Sequence, residues 1–207
     1  MIAALLLAAA PWPDTFVARL NALAQVESLN AELLSHDSAT ATLQAWCDVY
    51  GVVPGTRIRA LRGSGEQKSA DPSVRADLHA GPGELIAYRH VQLTCGDVVL
   101  SQADNWYRPE RLTPGMNNAL ENTDTPFGVV VRTLNFHRRT LAADVLFLPL
   151  PRGWEAKSWP QRQTTRPLQV PAEILRHRAV LTAADGEPFS LVSETYSRAV
   201  LIRPKGR

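Results

Sequence analysis

Residues 84–105, ELIAYRHVQLTCGDVVLSQADN, contain the pattern that decides the fold. Apolar and polar side chains alternate over 84–93, which is the period of a strand with one buried face. Gly96 and Asp97 supply a tight turn, and residues 98–105 return as the partner strand. The stretch therefore predicts an antiparallel β-hairpin.

A second hairpin is predicted near the end of the chain. Strand patterns cover 174–182 and 189–202, on either side of the turn sequence Ala184-Asp185-Gly186-Glu187-Pro188. Further strand patterns at 57–61 and 134–148 bring the sum to about six mostly antiparallel strands.

Two helices are predicted before the sheet. After the start signal Pro13-Asp14, apolar residues recur in three- and four-residue steps over 16–34, as in an amphipathic helix. Asp37-Ser38 can cap a second helix that ends at Gly51, and a polar loop is expected over 63–72. Helices followed by an antiparallel sheet predict the α/β (α+β) class, here as one domain over 13–207.

The composition excludes some classes of function. The chain has 45% hydrophobic and 20% charged residues, as in an ordinary globular domain. Its 22 basic and 20 acidic residues give a net charge of +2, and the basic residues are dispersed, so we expect no nucleic-acid partner. Polar residues on the predicted edge strands discourage strand pairing between molecules, and we therefore expect a monomer.

The chain begins with an apolar segment, 1–12. Its first ten residues, MIAALLLAAA, are too few to span a membrane but match the hydrophobic region of a signal peptide. This pattern favours export to the periplasm. Against export, no Lys or Arg precedes the run and Pro11 follows the cleavage-like Ala8-Ala9-Ala10. The alternative is a cytoplasmic protein whose apolar start packs on the domain.

The sequence predicts neither a metal site nor an organic cofactor. Cys47 and Cys95 lie far apart without metal-ligand spacing, and we interpret both as buried thiols, with a disulfide left open. No glycine-rich phosphate loop, metal-ligand cluster or nucleophile elbow is present in the 207 residues.

Arg89 lies on the apolar face of its predicted strand. Alternation places it with Ala87 and Val91, not with the polar residues of the opposite face. Because a guanidinium stays charged, burying it without a partner costs on the order of several kcal/mol. Arg89 therefore needs an anion or water, and either a structural ion pair or a bound anionic ligand would meet that need.

Glu194 has a similar placement in the last strand. Alternation puts it on one face with Val192 and Tyr196. A carboxylate in such surroundings either pairs with an arginine of the fold or takes part in proton transfer or hydroxyl recognition at a ligand site. Periodicity alone leaves both alternatives open.

Other polar residues are assigned structural roles. Adjacent residues of His137-Arg138-Arg139 point to opposite strand faces, so we expect most of this cluster to be solvated. His90 and His177 lack a catalytic partner at informative spacing and are predicted to be hydrogen-bonded structural residues. Trp106-Tyr107 at a strand end is expected to pack.

The residues around both buried charges resemble those of the bacterial chorismate lyase family. The similarity covers most of the chain, and each block is short, so the order and spacing of the blocks carry the resemblance. The similar blocks are Asp37-Ser38-Ala39-Thr40, Tyr88-Arg89-His90, Trp106-Tyr107-Arg108-Pro109, Thr125-Pro126-Phe127-Gly128 and Leu191-Val192-Ser193-Glu194-Thr195.

The resemblance implies a chorismate lyase-like fold, in which helices and flap segments cover a buried pocket. Family members convert chorismate to 4-hydroxybenzoate, a ubiquinone precursor, and pyruvate, without a metal or cofactor. By this resemblance Arg89 would bind the ring carboxylate and Glu194 would face the ring hydroxyl and assist proton movement, both as catalytic residues. Ala39, Phe127 and Gly128 would line the ligand. The implied partner is a small anionic aromatic or cyclic carboxylate.

Two positions depart from the family pattern. Ala39 stands where the family has a larger apolar residue, and Phe127 stands where leucine is usual. The two changes either keep the pocket volume or reshape the pocket for another anion. The same fold serves as the ligand-sensing domain of some transcription regulators, which carry a DNA-binding region for which we find no signal in this sequence. The alternative function is therefore a non-catalytic or exported protein that binds a small aromatic acid.

Overall fold

A single antiparallel sheet organises the protein in the computed structural model, which describes residues 12–50, 52–53, 55–63, 67–158 and 166–203. The strand order is β1-β2-β3-β6-β5-β4. The strands are β1 (Ile58–Arg62), β2 (Ala87–Cys95), β3 (Val98–Tyr107), β4 (His137–Val145), β5 (Glu173–Thr182) and β6 (Pro188–Ser197). Six antiparallel strands with helices confirm the predicted α+β class. The predicted apolar segment lies outside the described residues except for its last residue, Trp12.

Five helices accompany the sheet in the described part of the chain: α1 (Phe16–Ser35), α2 (Ala39–Val49), α3 (Pro72–Asp77), α4 (Pro114–Asn122) and α5 (Phe127–Val130). The predicted cap of α2 is confirmed, because the Ser38 hydroxyl accepts a hydrogen bond from the Ala41 N–H at 3.2 Å. Helix α3 was not predicted, although Asp71 caps it and Pro72 occupies its first turn. None of the described helices is long and apolar enough to cross a bilayer.

Two predicted strands were too long. The chain forms a 3-10 turn at Arg132–Leu134 and a left-handed residue, Asn135, before β4 begins. At the other end of the sequence, the Ser197 hydroxyl accepts a hydrogen bond from the Ala199 N–H at 3.1 Å and β6 stops there. Local side-chain and turn geometry therefore ends strands that the apolar pattern would continue.

Both faces of the sheet are covered. On one face α1 and α2 bury apolar side chains such as Leu29 and Leu43 against the sheet, and the Trp46 indole N–H donates to the Val200 carbonyl at 2.9 Å. On the other face α3 packs against Trp106. Tyr107 lies in a separate apolar cluster, so the packing role predicted for both aromatic residues is confirmed.

The two cysteines form a disulfide, and the interpretation of free thiols was wrong. Cys47 of α2 and Cys95 of β2 are both fully buried, as predicted, and their Cα atoms are 6.3 Å apart. The sulfurs meet because α2 lies across the end of β2. A separation of 48 residues along the chain gives no indication of this contact.

Candidate ligand-binding cavity

The floor of the cavity is the sheet face that α1 and α2 cover. The register of β2, β3 and β6 aligns Arg89 with Asn105 and Val192. Glu194 is two residues beyond Val192 and therefore faces the same side. Strand pairing thus brings together two charged residues that are 105 positions apart in the sequence.

The roof consists of short segments at helix starts. The chain from Asp37 to Thr40, at the start of α2, lies over the cavity beside Phe127 and Gly128 of α5. Gly128 permits a close approach, since a Cβ atom at this position would lie 3.1 Å from the Ser38 hydroxyl oxygen. The absence of a side chain there lets α5 and α2 close over the sheet together.

All five residues implied by the resemblance line this one cavity: Ala39, Arg89, Phe127, Gly128 and Glu194. The cavity has a volume of about 60 Å³. On this measure a single buried water needs roughly 10–15 Å³, so the space accepts several waters or one small ligand. Apolar side chains contribute much of the wall: Val91, Leu93, Ala103, Phe136, Leu181 and Val192.

Arg89 is 5% exposed and has weak partners. Its two terminal nitrogens donate to the carbonyls of Thr123 and Thr125 at 3.3 to 3.4 Å, and its buried Nε has no partner. Among the described residues no carboxylate lies within ion-pair distance of its guanidinium. Burial lowers the pKa of Arg89, and the neighbouring charge of Arg62 lowers it further. The structural ion pair considered for Arg89 is therefore not observed.

Glu194 is 2% exposed and hydrogen-bonded at one oxygen. The Ser101 hydroxyl donates to its Oε1 at 2.5 Å. Burial raises the pKa of Glu194 because desolvation disfavours the charged carboxylate, although the Ser101 hydrogen bond and the charge of Arg138 act in the opposite direction. The carboxyl group therefore holds its proton more firmly than an exposed glutamate does.

Arg138 lines the cavity, although the sequence predicted that most of its cluster would be solvated. His137 and Arg139 are exposed as expected, but Arg138 lines the cavity from β4. Its Nη1 donates to the Leu33 carbonyl at 3.4 Å, whereas its Nε and Nη2 are buried without partners. The apolar Phe136, two residues earlier and therefore on the same face of an extended chain, is buried and could have indicated that Arg138 also points inward.

The two histidines have structural partners, as predicted. His177 is fully buried, and its Nε2 lies 2.8 Å from the Asn30 side-chain oxygen. Burial, with help from the charge of Arg138, lowers the pKa of His177 to about 4, so its ring is neutral at neutral pH. His90 contacts Asp104 through Nδ1 at 2.9 Å. The described residues contain no group of His, Cys, Asp and Glu able to hold a metal ion.

Comparison with solved structures supports the fold. The crystal structure of PhnF from Mycobacterium smegmatis matches 83% of this chain and 71% of its own chain, with a TM-score of 0.52 and 16% identity. A GntR-family transcriptional regulator from Enterococcus faecalis matches 72% of this chain and 99% of its own, with a TM-score of 0.42 and 14% identity. At 16% identity the likeness to PhnF establishes the fold and not the activity.

Comparison of sequences gives a closer relationship. No family model matches the chain. The uncharacterized protein y4mC of Sinorhizobium fredii is 48% identical over 194 residues, which cover 93% of this chain and 82% of the relative. Such identity over nearly the whole length shows that this chain belongs to the same family as protein y4mC.

Proposed function

We propose that this protein binds a small aromatic or cyclic carboxylate in the cavity and does not convert it. The observation that carries the proposal is Arg89, a buried guanidinium that faces the cavity and has no carboxylate partner in the described part of the chain. Leaving this cation desolvated is unfavourable, and a ligand carboxylate would supply paired acceptors for its N–H groups.

Glu194 would orient the other end of the ligand. Its raised pKa favours the protonated form, which can donate a hydrogen bond to a ligand oxygen. Apart from Asn105 and Ser190, the walls between Arg89 and Glu194 are largely apolar, with Val91 and Val192 on the floor and Phe127 in the roof. A ring with a carboxylate at one end and an oxygen at the other fits this arrangement.

The disulfide supports an exported form of this binding protein. Disulfides persist mainly in oxidising compartments such as the periplasm. The bond between Cys47 and Cys95 therefore agrees with the export that the apolar start of the sequence favours.

Calorimetric titration with 4-hydroxybenzoate tests the proposal. We expect wild-type protein to bind and Arg89→Gln to lose about 100-fold or more in affinity, because a charge-assisted bidentate contact is removed. Arg176→Gln is the matched control, since Arg176 is an exposed arginine that does not line the cavity. Absence of binding by folded wild-type protein to benzoate-type acids, or unchanged binding by Arg89→Gln, would overturn the proposal.

A second candidate is the chorismate pyruvate-lyase reaction that the resemblance implies. It is favoured by one observation, the presence in a single cavity of both Arg89 and Glu194, whose pKa burial raises. In this reaction the ring C4 loses its hydrogen as a proton, the C3–O ether bond breaks, the ring becomes aromatic and the released enolpyruvate takes up a proton. The residues would orient the substrate and move the proton.

Pyruvate release from chorismate separates the two candidates. Release by wild-type protein that is lost in both Arg89→Gln and Glu194→Gln would support the lyase. Binding of 4-hydroxybenzoate without pyruvate release would leave the binding protein.

A further inference from the structure

The cavity has a second cationic side chain opposite the first. Arg89 projects from β2 and Arg138 from β4, which are four strand positions apart in the sheet order. At about 4.8 Å per position this separates the two backbones by roughly 19 Å. Because both side chains line the same small cavity, they approach it from opposite sides.

Glu194 lies between these two arginines. Its strand, β6, is two positions from β2 and two from β4. The charge of Arg138 acts on Glu194, His177 and Tyr196, whereas Arg62 and Asp124 are the charged residues that act on Arg89. Arg138 and Glu194 therefore interact on the β4 side of the cavity, and Arg89 enters it from the β2 side.

Arg138 has unused hydrogen-bonding capacity on the β4 side. Two of its guanidinium nitrogens, Nε and Nη2, are buried without a hydrogen bond of good geometry within the described residues. The Tyr196 hydroxyl interacts with this guanidinium, but no carboxylate there forms an ion pair with it. Asp37 is the nearby acidic residue, but its Oδ1 accepts the backbone N–H of Arg138 at 2.7 Å and its Oδ2 faces His137 at 3.5 Å. Its side chain is about half exposed.

The cavity lining contains two guanidinium groups, and neither forms an ion pair with a carboxylate of the described residues. Of the two acidic lining residues, Asp37 is about half exposed and contacts the Arg138 backbone and His137, and Glu194 has a pKa that burial raises. A ligand with one carboxylate can pair with only one of the two guanidinium groups. A ligand with an acidic group at each end neutralises both and gives acceptors to the unpartnered nitrogens of Arg138.

We propose that Arg138 is a specificity-determining residue that binds a second acidic group, so that the cavity prefers a ring dicarboxylate to a ring monocarboxylate. This inference rests on the proposed ligand binding at Arg89 and identifies a residue for the opposite end of the ligand. Glu194 then donates its proton to the same end.

The test compares two ring acids of similar shape, terephthalate and 4-methylbenzoate, by calorimetric titration. We expect wild-type protein to bind terephthalate about tenfold or more tightly than 4-methylbenzoate. Arg138→Met should abolish this preference and leave the affinity for 4-methylbenzoate within about threefold of wild type. Arg138→Lys, which keeps the charge, should retain part of the preference, and it serves as the second variant if Arg138→Met does not fold. Arg139→Met is the matched control, because Arg139 is an exposed neighbour on β4.

The outcomes separate this inference from the proposed function. Failure of both acids to bind wild-type protein would overturn both. Binding of both acids without a preference, or a preference that survives in Arg138→Met, would overturn the role of Arg138 alone. Equal losses for both acids in Arg138→Met would assign Arg138 to structure and also overturn the inference.

Discussion

Arg108 and Arg89 are two buried arginines with opposite surroundings. Arg108 follows the end of β3, and its side chain is 11% exposed. Its guanidinium pairs with Glu84, donates to Glu110 at 3.1 Å and also reaches the Leu78 and Pro188 carbonyls at 3.4 and 3.2 Å. Burial alone would lower the pKa of Arg108, but its hydrogen bonds to the two glutamates raise it.

Arg89 has the same side chain and a similar degree of burial, yet its pKa is lowered and it lacks an ion pair in the described structure. The two arginines differ above all in their partners. A desolvated charge whose partners lie within the fold needs no other partner, whereas a buried charge without them indicates a partner from outside.

The largest effect on stability is expected from Arg108→Met. Removing this guanidinium leaves Glu84 in a largely buried position without its counter-ion. Breaking a buried pair in this way should lower the free energy of unfolding by about 3 kcal/mol. Chemical denaturation measures the change, and Arg176→Met, at an exposed position, should shift it by less than about 0.5 kcal/mol. A loss below about 1 kcal/mol for Arg108→Met would show that the ion pairs of Arg108 contribute little to the stability of the fold.

Whereas Arg108→Met lowers the free energy of unfolding, Arg89→Met should raise it. It removes an uncompensated buried charge and keeps most of the apolar volume, so the unliganded protein should become more stable by about 1 kcal/mol. The same variant should no longer bind ring carboxylates. A stability loss as large as that of Arg108→Met would mean that Arg89 is a structural residue.

The glutamates at the two arginine sites extend the comparison to pH. Burial alone would raise the pKa of Glu84, but hydrogen bonds from the Gly81 N–H and Arg108 hold it below its ordinary value of 4.5. The stabilisation from Glu84 is therefore present above pH 4.5 and is lost as the pH falls through its lowered pKa. Burial raises the pKa of Glu194, so its contribution is fully present below pH 4.5 and is lost as the pH rises through its raised pKa.

Stability measured against pH in two variants checks these signs. Above pH 4.5, the titration of Glu194 should lower the free energy of unfolding of wild-type protein by at most about 1.4 kcal/mol per pH unit. Glu194→Gln should not show this decline. On acidification below pH 4.5, Glu84→Gln should lose less of its free energy of unfolding than wild-type protein does. Equal pH profiles for Glu194→Gln and wild type would show that Glu194 titrates normally.

The smallest effect is expected from Gly128→Ala in the roof. The new Cβ would lie 3.1 Å from the Ser38 hydroxyl oxygen and displace the roof by a few tenths of an ångström. We expect ligand affinity to fall by less than about tenfold and stability by less than about 1 kcal/mol, because no charge is removed. A loss of binding as large as that of Arg89→Gln would show that roof geometry, and not the guanidinium, controls affinity.

The sequence predicted the parts of the site that follow from alternation along one strand. Arg89 and Glu194 stand among apolar neighbours within their own strands, so period-two alternation identified both. Arg138 was missed because it stands between two exposed residues, His137 and Arg139, and the other side chains that line the cavity come from other elements. The pairing of Cys47 with Cys95 was missed for a related reason, since it depends on where α2 crosses the sheet.

The disulfide also ties the roof of the cavity to its floor. Cys47 lies eight residues after Ala39, which is about 12 Å along α2. Because the bond holds the Cys47 end of α2 against β2, any tilt of this helix away from the sheet would displace its Ala39 end most. A tilt of about 15° would lift Ala39 by about 3 Å over that length. Since Asp37 beside this end contacts the backbone of Arg138, we expect such a tilt to widen the cavity first on the Arg138 side.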